Sequence, residues 1–193
     1  MLLSIIYLVP ITAEAMTGAL SAGRRHMDLF GVIIIASVTA LGGGTLRDVV
    51  LGHYPVGWVK NPEFILITVV AALLTVLLAP FMHHFKRTFL VLDALGLVAF
   101  SLIGCAIARD MQLCPFICMI SGMMTGVFGG VLRDVLCNEI PLVFQKELYA
   151  VVSLVTAGAY WLLLDNNVAH NLSIVVCLLG GFSLRMIAIY KGW

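Results

Sequence analysis

The sequence has few charged residues for its length. Lysine, arginine, aspartate and glutamate make up 11% of its 193 residues, and the mean hydropathy is +1.09. A soluble domain carries about a quarter charged residues, so this chain has too little polar surface to cover itself in water. The formal net charge is only +1 and the sequence has no basic patch, which excludes nucleic acid as a partner. The composition predicts a polytopic membrane protein.

The sequence also lacks the motifs of a disulfide framework, a metal site or an enzyme. Its five cysteines include no C-x-x-C pair, and their odd number argues against a set of disulfides. Its five histidines form no H-E-x-x-H motif, and no nucleophile stands with a base. We therefore expect no metal, no cofactor and no catalytic activity, and we interpret the cysteines as small apolar core residues.

Long apolar runs fill most of the chain. A spanning helix needs about 20 mostly apolar residues, and seven runs approach or exceed this length. They cover residues 1–22, 29–52, 64–82, 89–108, 111–137, 148–164 and 172–190. The connections between them are short. The sequence therefore predicts an all-α polytopic membrane protein with seven transmembrane helices in a single membrane domain, residues 1–193.

Basic residues in the loops predict the orientation, because cytoplasmic loops carry the excess of lysine and arginine. With the N-terminus outside, six basic residues face the cytoplasm and two face the exterior. The inner set is Arg24, Arg25, Lys86, Arg87, Lys146 and Lys191, and the outer set is Lys60 and Arg109. We expect the N-terminus outside and the C-terminus inside.

One stretch occurs twice. Residues 42–49 read GGGTLRDV, and after a shift of 86 residues they return at 128–135 as FGGVLRDV, with Lys60 matching Lys146. Each copy holds three predicted helices, an odd number, so the second copy must enter the membrane from the opposite side. We expect two inverted three-helix repeats, residues 1–87 and 88–168, and a seventh helix at 169–193. Inverted repeats are typical of transport proteins.

The glycines Gly42, Gly43 and Gly44 and their counterparts Gly129 and Gly130 lie within the second and fifth predicted helices. Glycine weakens a helix, so we expect each helix to kink or break there and to leave carbonyl groups free. Inverted symmetry would bring both breaks to one depth, where carbonyl oxygens would line a cation pore. The plainer interpretation is that small residues only let helices pack closely.

An arginine and an aspartate follow each glycine cluster. Neighbouring residues on a helix do not face each other, so we expect crossed pairs, Arg47 with Asp134 and Arg133 with Asp48. These residues either line the pore or clamp the two helices together, and a buried ion pair is compatible with both roles.

Further charged residues are candidates for roles in ion passage. Lys60 and Lys146 match across the repeats, and Glu147 follows Lys146. A lysine at a pore mouth would tune cation entry, although an interfacial lysine also simply reaches for water. Glu14 lies in mid-helix, where a carboxylate needs a partner or water. It is therefore a candidate for a contact in the pore or between subunits. Asp93 lies near the inner end of its helix, where we expect it to be hydrated.

The doubled motif resembles that of a known family. Three features carry the resemblance: the motif GGGTLRD, the motif GGVLRD and the segment FQKELYA at 144–150. In both motifs a proline follows eight residues beyond the arginine. They are similar to the prokaryotic branch of the trimeric intracellular cation channel family, whose bacterial members also carry an older label as predicted glycine transporters. The resemblance covers almost the whole chain.

The resemblance implies a homotrimer in the lipid of the bacterial inner membrane, with a separate pore in each subunit between the kinked second and fifth helices. The pore would pass monovalent cations, chiefly potassium, beside the two glycine clusters and the two Arg-Asp pairs. Animal members carry Lys-Glu-Val where this chain has Lys146-Glu147-Leu148, so a lipid-binding role does not transfer. A secondary transporter for a small zwitterion such as glycine is the alternative, since inverted repeats are common in carriers.

Overall fold

The protein is helical almost throughout. A computed structural model describes residues 2–79, 85–146 and 148–192, and nine helices occur in them. In chain order they are α1 (Leu2–Arg24), α2 (Leu29–Leu51), α3 (Gly57–Lys60), α4 (Glu63–Leu78), α5 (Phe85–Asp110), α6 (Pro115–Leu136), α7 (Leu142–Gln145), α8 (Leu148–Asp165) and α9 (His170–Lys191). The predicted all-α class is confirmed.

The seven longer helices of the described residues coincide with the seven predicted apolar runs. Five of them are long and apolar enough to cross a membrane, namely α2, the part of α5 from Arg87, α6, α8 and α9. Helix α4 has 16 residues, and its predicted continuation to Met82 lies outside the described residues. That α1 and α4 also cross, which makes the count seven, stays a prediction from the sequence.

Local signals set the ends of the two helices that carry the repeated motif. Asp28 precedes α2, and its Oδ1 accepts a hydrogen bond from the Gly31 N–H at 2.8 Å, as an N-cap residue does. Helix α2 ends before Gly52, whose φ of 68° is in the left-handed region that favours glycine. Helix α6 begins with Pro115, where no N–H is needed. A loop then leads from each helix to a four-residue helix, α3 or α7.

Helices α5 and α6 form the centre of the bundle. Helix α5 packs against α1, α6, α8 and α9, and α6 also packs against α2 and α8. Alanine, serine, threonine and glycine are frequent where these helices meet. Small residues let helix backbones approach closely, which is how helices associate in a membrane.

The outward faces of the helices are apolar. Leu66 and Leu77 on α4 and Leu179 on α9 are 67%, 68% and 62% exposed. Extended apolar surface is unusual on a soluble monomer, whereas in a bilayer it faces hydrocarbon. The exposed and buried sides of the helices therefore agree with a membrane protein whose charged residues turn inward.

Candidate functional site

Each arginine of the repeated motif pairs with the aspartate that follows it in the chain. Arg47 Nε and Nη2 donate to Asp48 Oδ1 at 3.0 and 2.8 Å. Arg133 Nε donates to Asp134 Oδ1 at 2.8 Å. The predicted crossed pairs, Arg47 with Asp134 and Arg133 with Asp48, are therefore wrong. Neighbours on a helix point in different directions, but the arginine side chain is long enough to fold back onto the next residue.

The second oxygen of each aspartate holds the loop that follows the helix. Asp48 Oδ2 accepts from the Gly57 N–H at 2.9 Å, and Asp134 Oδ2 accepts from the Leu142 N–H at 3.0 Å. Gly57 and Leu142 begin α3 and α7, and the first N–H groups of a helix have no partner inside it. In the first copy His53 Nδ1 also lies 3.0 Å from Asp48 Oδ1. Each aspartate thus joins the end of a long helix to the start of a short one.

The two copies differ in what else surrounds the arginine. Arg133 is completely buried. Its Nη1 lies 3.0 Å from Asp93 Oδ1, 3.7 Å from Glu14 Oε2 and 3.0 Å from Thr17 Oγ1. Its guanidinium carbon lies 4.6 Å from the centroid of the Phe89 ring, a cation–π contact. Counting Asp134, three carboxylates converge on one arginine.

Sequence reasoning missed this convergence. Asp93 is fully buried, so its expected hydration is wrong, and Glu14 meets a cation of its own chain. A signal was present, because an acid inside a membrane helix is expected to pair with a buried cation. Which of the buried cations it meets depends on how the helices are rotated, and the linear order of residues does not contain that.

Helices α2 and α6 run without interruption through their glycines. The predicted break, with free carbonyl groups at its edge, is therefore wrong. Backbone hydrogen bonds continue because neighbouring helices supply the packing that glycine lacks. An uninterrupted helix can still bend, so the kinks stay a prediction.

The glycines let α2 and α6 cross in direct contact. A Cβ at Gly43 would overlap the carbonyl oxygen of Thr125, and one at Gly129 would overlap that of Thr39. Close packing by small residues, the plainer interpretation, therefore applies at both positions. The two contacts run in opposite order along the two helices, so α2 and α6 are antiparallel. Their Arg-Asp motifs lie on opposite sides of the crossing.

The other glycines of the clusters stand next to side chains. A Cβ at Gly44 would lie 3.7 Å from Arg47 Nη2, and one at Gly130 would lie 3.4 Å from Arg133 Nη2. A Cβ at Gly42 would lie 2.6 Å from a leucine methyl group of α6. An added methyl group would therefore make an ordinary contact with Arg47 at Gly44, whereas at Gly130 it would crowd the Tyr149 hydroxyl at 3.3 Å.

Two cavities lie on the Arg47 side of the crossing. The smaller has a volume of about 50 Å³ and is bordered by Arg47 and Asp48. The larger, of about 220 Å³, lies between α1, α5, α8 and α9. Its charged and polar lining residues include Arg109, Asp110, Tyr160 and His170. Tyr7 and Ile103 border both cavities, so these two side chains separate the Arg47 motif from the larger cavity.

The two matched lysines lie at the surface. Lys60 is the last residue of α3 and is exposed. Lys146 is also exposed, and its Nζ donates to the Gly192 carbonyl oxygen at 3.3 Å, at the C-terminal end of α9. Glu147 lies outside the described residues. The structure therefore brings the predicted glycines and Arg-Asp pairs together and keeps both lysines apart from them.

Known proteins resemble this chain in sequence. The sequence model of a family described as Glycine transporter matches it twice, at residues 4–80 and 90–165. The UPF0126 inner membrane protein YadS of Escherichia coli (strain K12) is 42% identical over 152 residues, which are 76% of this chain and 73% of that protein. Two matches to one family model agree with an internal repeat in the sequence.

Solved structures resemble almost the whole chain. The TRIC trimeric intracellular cation channel orthologue from Rhodobacter sphaeroides has a TM-score of 0.94 and 33% sequence identity, covering 98% of this chain and 97% of that one. A second, described as the structural basis for conductance through TRIC cation channels, has a TM-score of 0.90 and 30% identity, covering 100% and 95%. The chain is thus a prokaryotic member of the trimeric intracellular cation channel family, and it belongs to the sequence family described as Glycine transporter.

Proposed function

We propose that the protein is a channel for monovalent cations, chiefly potassium, in the bacterial inner membrane, and that it forms a homotrimer with one pore per subunit. The observation that carries this proposal is the match of 98% of the chain to a solved TRIC cation channel, at a TM-score of 0.94. A match of that extent leaves little room for a different arrangement of the helices.

The ion path follows the crossing of α2 and α6 in this proposal. The small cavity beside Arg47 borders the crossing on one side, and the carboxylates around Arg133 lie on the other. Carboxylates beside a path raise the local concentration of cations and disfavour anions. Gly43 and Gly129 hold the two backbones in contact, so conduction requires the helices to bend or separate there.

The two halves, residues 1–87 and 88–168, are inverted repeats in this proposal, and residues 169–193 complete one membrane domain. The antiparallel crossing of the equivalent helices α2 and α6 supports the inversion. Arg25 Nη2 lies 2.9 Å from Glu139 Oε1, and Lys146 meets Gly192. These contacts group basic loops at one end of the bundle, which supports an N-terminus outside and a C-terminus inside.

Planar-bilayer recording of the purified protein tests the function. In KCl gradients we expect unitary currents that reverse near the potassium equilibrium potential, and no saturable uptake of labelled glycine into proteoliposomes. The solved relatives are described as cation channels, which favours this outcome over a glycine carrier. Saturable glycine uptake without unitary currents under any condition would show that the protein is a carrier instead.

A matched pair of variants tests the path. Gly43→Leu places a side chain against the Thr125 backbone at the crossing, whereas Gly180→Leu lies on an exposed face of α9, where an added Cβ meets nothing within 4 Å. At equal yield of folded protein we expect Gly43→Leu to lose the currents and Gly180→Leu to retain them. Equal currents in both variants would contradict a path at the α2–α6 crossing.

A further inference from the structure

The charges around Arg133 do not balance. Three carboxylates (Glu14, Asp93 and Asp134) and two guanidiniums (Arg133 and Arg185) are buried here, and none is more than 6% exposed. When all five are ionised, one negative charge has no partner among the described side chains. A buried charge without compensation costs several kcal/mol even after the protein relaxes, so this cluster has to take up a positive charge.

Four buried side-chain atoms of this cluster have no hydrogen-bond partner among the described residues. They are Asp93 Oδ2, Arg133 Nη2, and Nε and Nη1 of Arg185, whose guanidinium stacks on the Tyr149 ring. Asp93 Oδ2 is the carboxylate oxygen in this set. Asp93 Oδ1 and Glu14 Oε2 face the same nitrogen, Arg133 Nη1, at 3.0 and 3.7 Å. A water molecule can donate to Asp93 Oδ2 and accept from Arg133 Nη2, but it is neutral and leaves the excess charge in place. The missing charge therefore belongs beside the Glu14 and Asp93 carboxylates.

The surroundings are shaped to hold the Glu14 carboxylate there. A Cβ at Gly96 on α5 would overlap Glu14 Oε1, so only glycine leaves room for it. The Thr17 hydroxyl accepts from Arg133 Nη1 at 3.0 Å and donates to Glu14 Oε2 at 2.9 Å. The space above Gly96, the Thr17 hydroxyl and the Arg133 guanidinium thus position Glu14 beside Asp93.

The surroundings of Arg47 do not include equivalents of these acids. The shift of 86 residues that relates the repeats places Phe100 at the position of Glu14 and Tyr7 at that of Asp93. Both aromatic residues border the small cavity beside Arg47, and Arg47 pairs with one carboxylate, Asp48. The Arg-Asp motif therefore forms without the additional acids, and the surroundings of Arg133 have them for another purpose.

Other charged groups near the site leave the imbalance unchanged. On α9, Arg185, already counted, stacks on the ring of Tyr149 from α8 at 4.5 Å. On α1, Arg24 lies 5.1 Å from the Phe89 ring and its Nη2 donates to Ser21 Oγ at 3.4 Å, and water screens the charge of this exposed side chain. The charged residues of α2 pair with each other, and Glu63 of α4 is exposed at its helix start.

We propose that Glu14 and Asp93 form a binding site for one monovalent positive charge, either a proton or an alkali cation. The site offers two carboxylates and a hydroxyl. The excess in the cluster is one negative charge, so a monovalent positive charge balances it, whereas a divalent cation would leave one positive charge over. Binding of a proton or an alkali cation at this site stabilises the folded protein whether or not the protein conducts ions. Measuring the unfolding equilibrium therefore tests the site independently of the proposed channel activity.

Unfolding equilibria of the purified protein in mixed micelles test the site. If the ligand is a proton, the folded wild type binds one proton more than the unfolded state, so its unfolding constant rises with pH in potassium-free buffer. This rise should be steeper than in Glu14→Gln or Asp93→Asn, by up to about tenfold per pH unit. To test for an alkali cation, KCl replaces choline chloride at constant ionic strength. If potassium is the ligand, the wild-type unfolding constant should fall about tenfold once potassium reaches roughly ten times its Kd. Asp165→Asn, at the exposed end of α8, keeps the wild-type response in both titrations.

Infrared spectra separate the two ligands, and the two variants assign the bands. A protonated buried carboxyl group absorbs in a carbonyl band that carboxylates lack, and we expect Glu14→Gln or Asp93→Asn to remove it if the ligand is a proton. If the ligand is potassium, the carboxylate bands shift with KCl instead. The proposal is overturned if the wild type and both variants respond equally to pH and KCl and the wild-type spectrum has neither signature.

Discussion

Arg47 and Arg133 occupy equivalent positions in the two repeats, but they differ in how many carboxylates compensate their charge. Arg47 pairs with Asp48, whereas Arg133 has three carboxylates within 4 Å of its guanidinium. When one partner of a buried ion pair is removed, the other charge is left uncompensated. The same substitution should therefore have unequal effects in the two halves.

We expect Asp48→Asn to destabilise the protein by about 3 kcal/mol, because Arg47 loses its carboxylate. We expect Asp134→Asn to cost only about 1 kcal/mol, the size of one weakened hydrogen bond, because Asp93 and Glu14 remain beside Arg133. Unfolding of both variants in detergent, beside the wild type, measures the difference. A larger loss for Asp134→Asn would contradict the assignment of partners.

Helices α2 and α6 meet through backbone rather than through side chains. The carbonyl groups of Thr39 and Thr125 lie where a Cβ on the opposite glycine would stand. Backbone atoms cannot move aside as a flexible side chain can, so any side chain at these glycines must push the helices apart. The crossing is therefore sensitive to a single methyl group.

Gly43→Ala and Gly129→Ala should each destabilise the protein by about 1–3 kcal/mol, as overpacking does. Gly180→Ala is the control, since nothing lies within 4 Å of its added methyl group, and it should stabilise α9 by about 0.5–1 kcal/mol. Thermal unfolding of the three variants in one detergent tests this. If the crossing variants were as stable as the control, the contact between α2 and α6 would be looser than the structure describes.

At the scale of the whole molecule, the proposed inverted arrangement would place equivalent residues on opposite sides of the membrane. Lys60 and Lys146 match across the repeats, and both are exposed. Cys114 is an exposed free cysteine and is replaced by serine to give a clean background for labelling.

In that background, a membrane-impermeant maleimide should label Lys60→Cys in intact cells and Lys146→Cys only after the membrane is permeabilised. The physical reason is that three crossing helices per repeat, the odd number that the sequence predicts, would reverse the direction of the second repeat. The Cys114→Ser parent, without an added cysteine, is the control. Labelling of both positions from the same side would rule out inverted halves.

The helices and the repeated motif could be predicted from the sequence because they depend on local properties. Seven apolar runs coincide with the seven longer described helices, and the residues of both Arg-Asp pairs were identified as buried, functional candidates. Their partners could not be predicted. The expected crossed pairs assumed that a helix keeps Arg47 away from Asp48, but side-chain length overrode that geometry.

The sequence by itself determined that this is an all-α membrane protein with an internal repeat, since apolar length, charge content and self-similarity are read along the chain. Only the tertiary structure decided that the glycines join two antiparallel helices without breaking them, and that Glu14 and Asp93 meet at Arg133. Those contacts depend on the rotation and depth of each helix. Such variables are set by packing among all the helices together, which no single segment encodes.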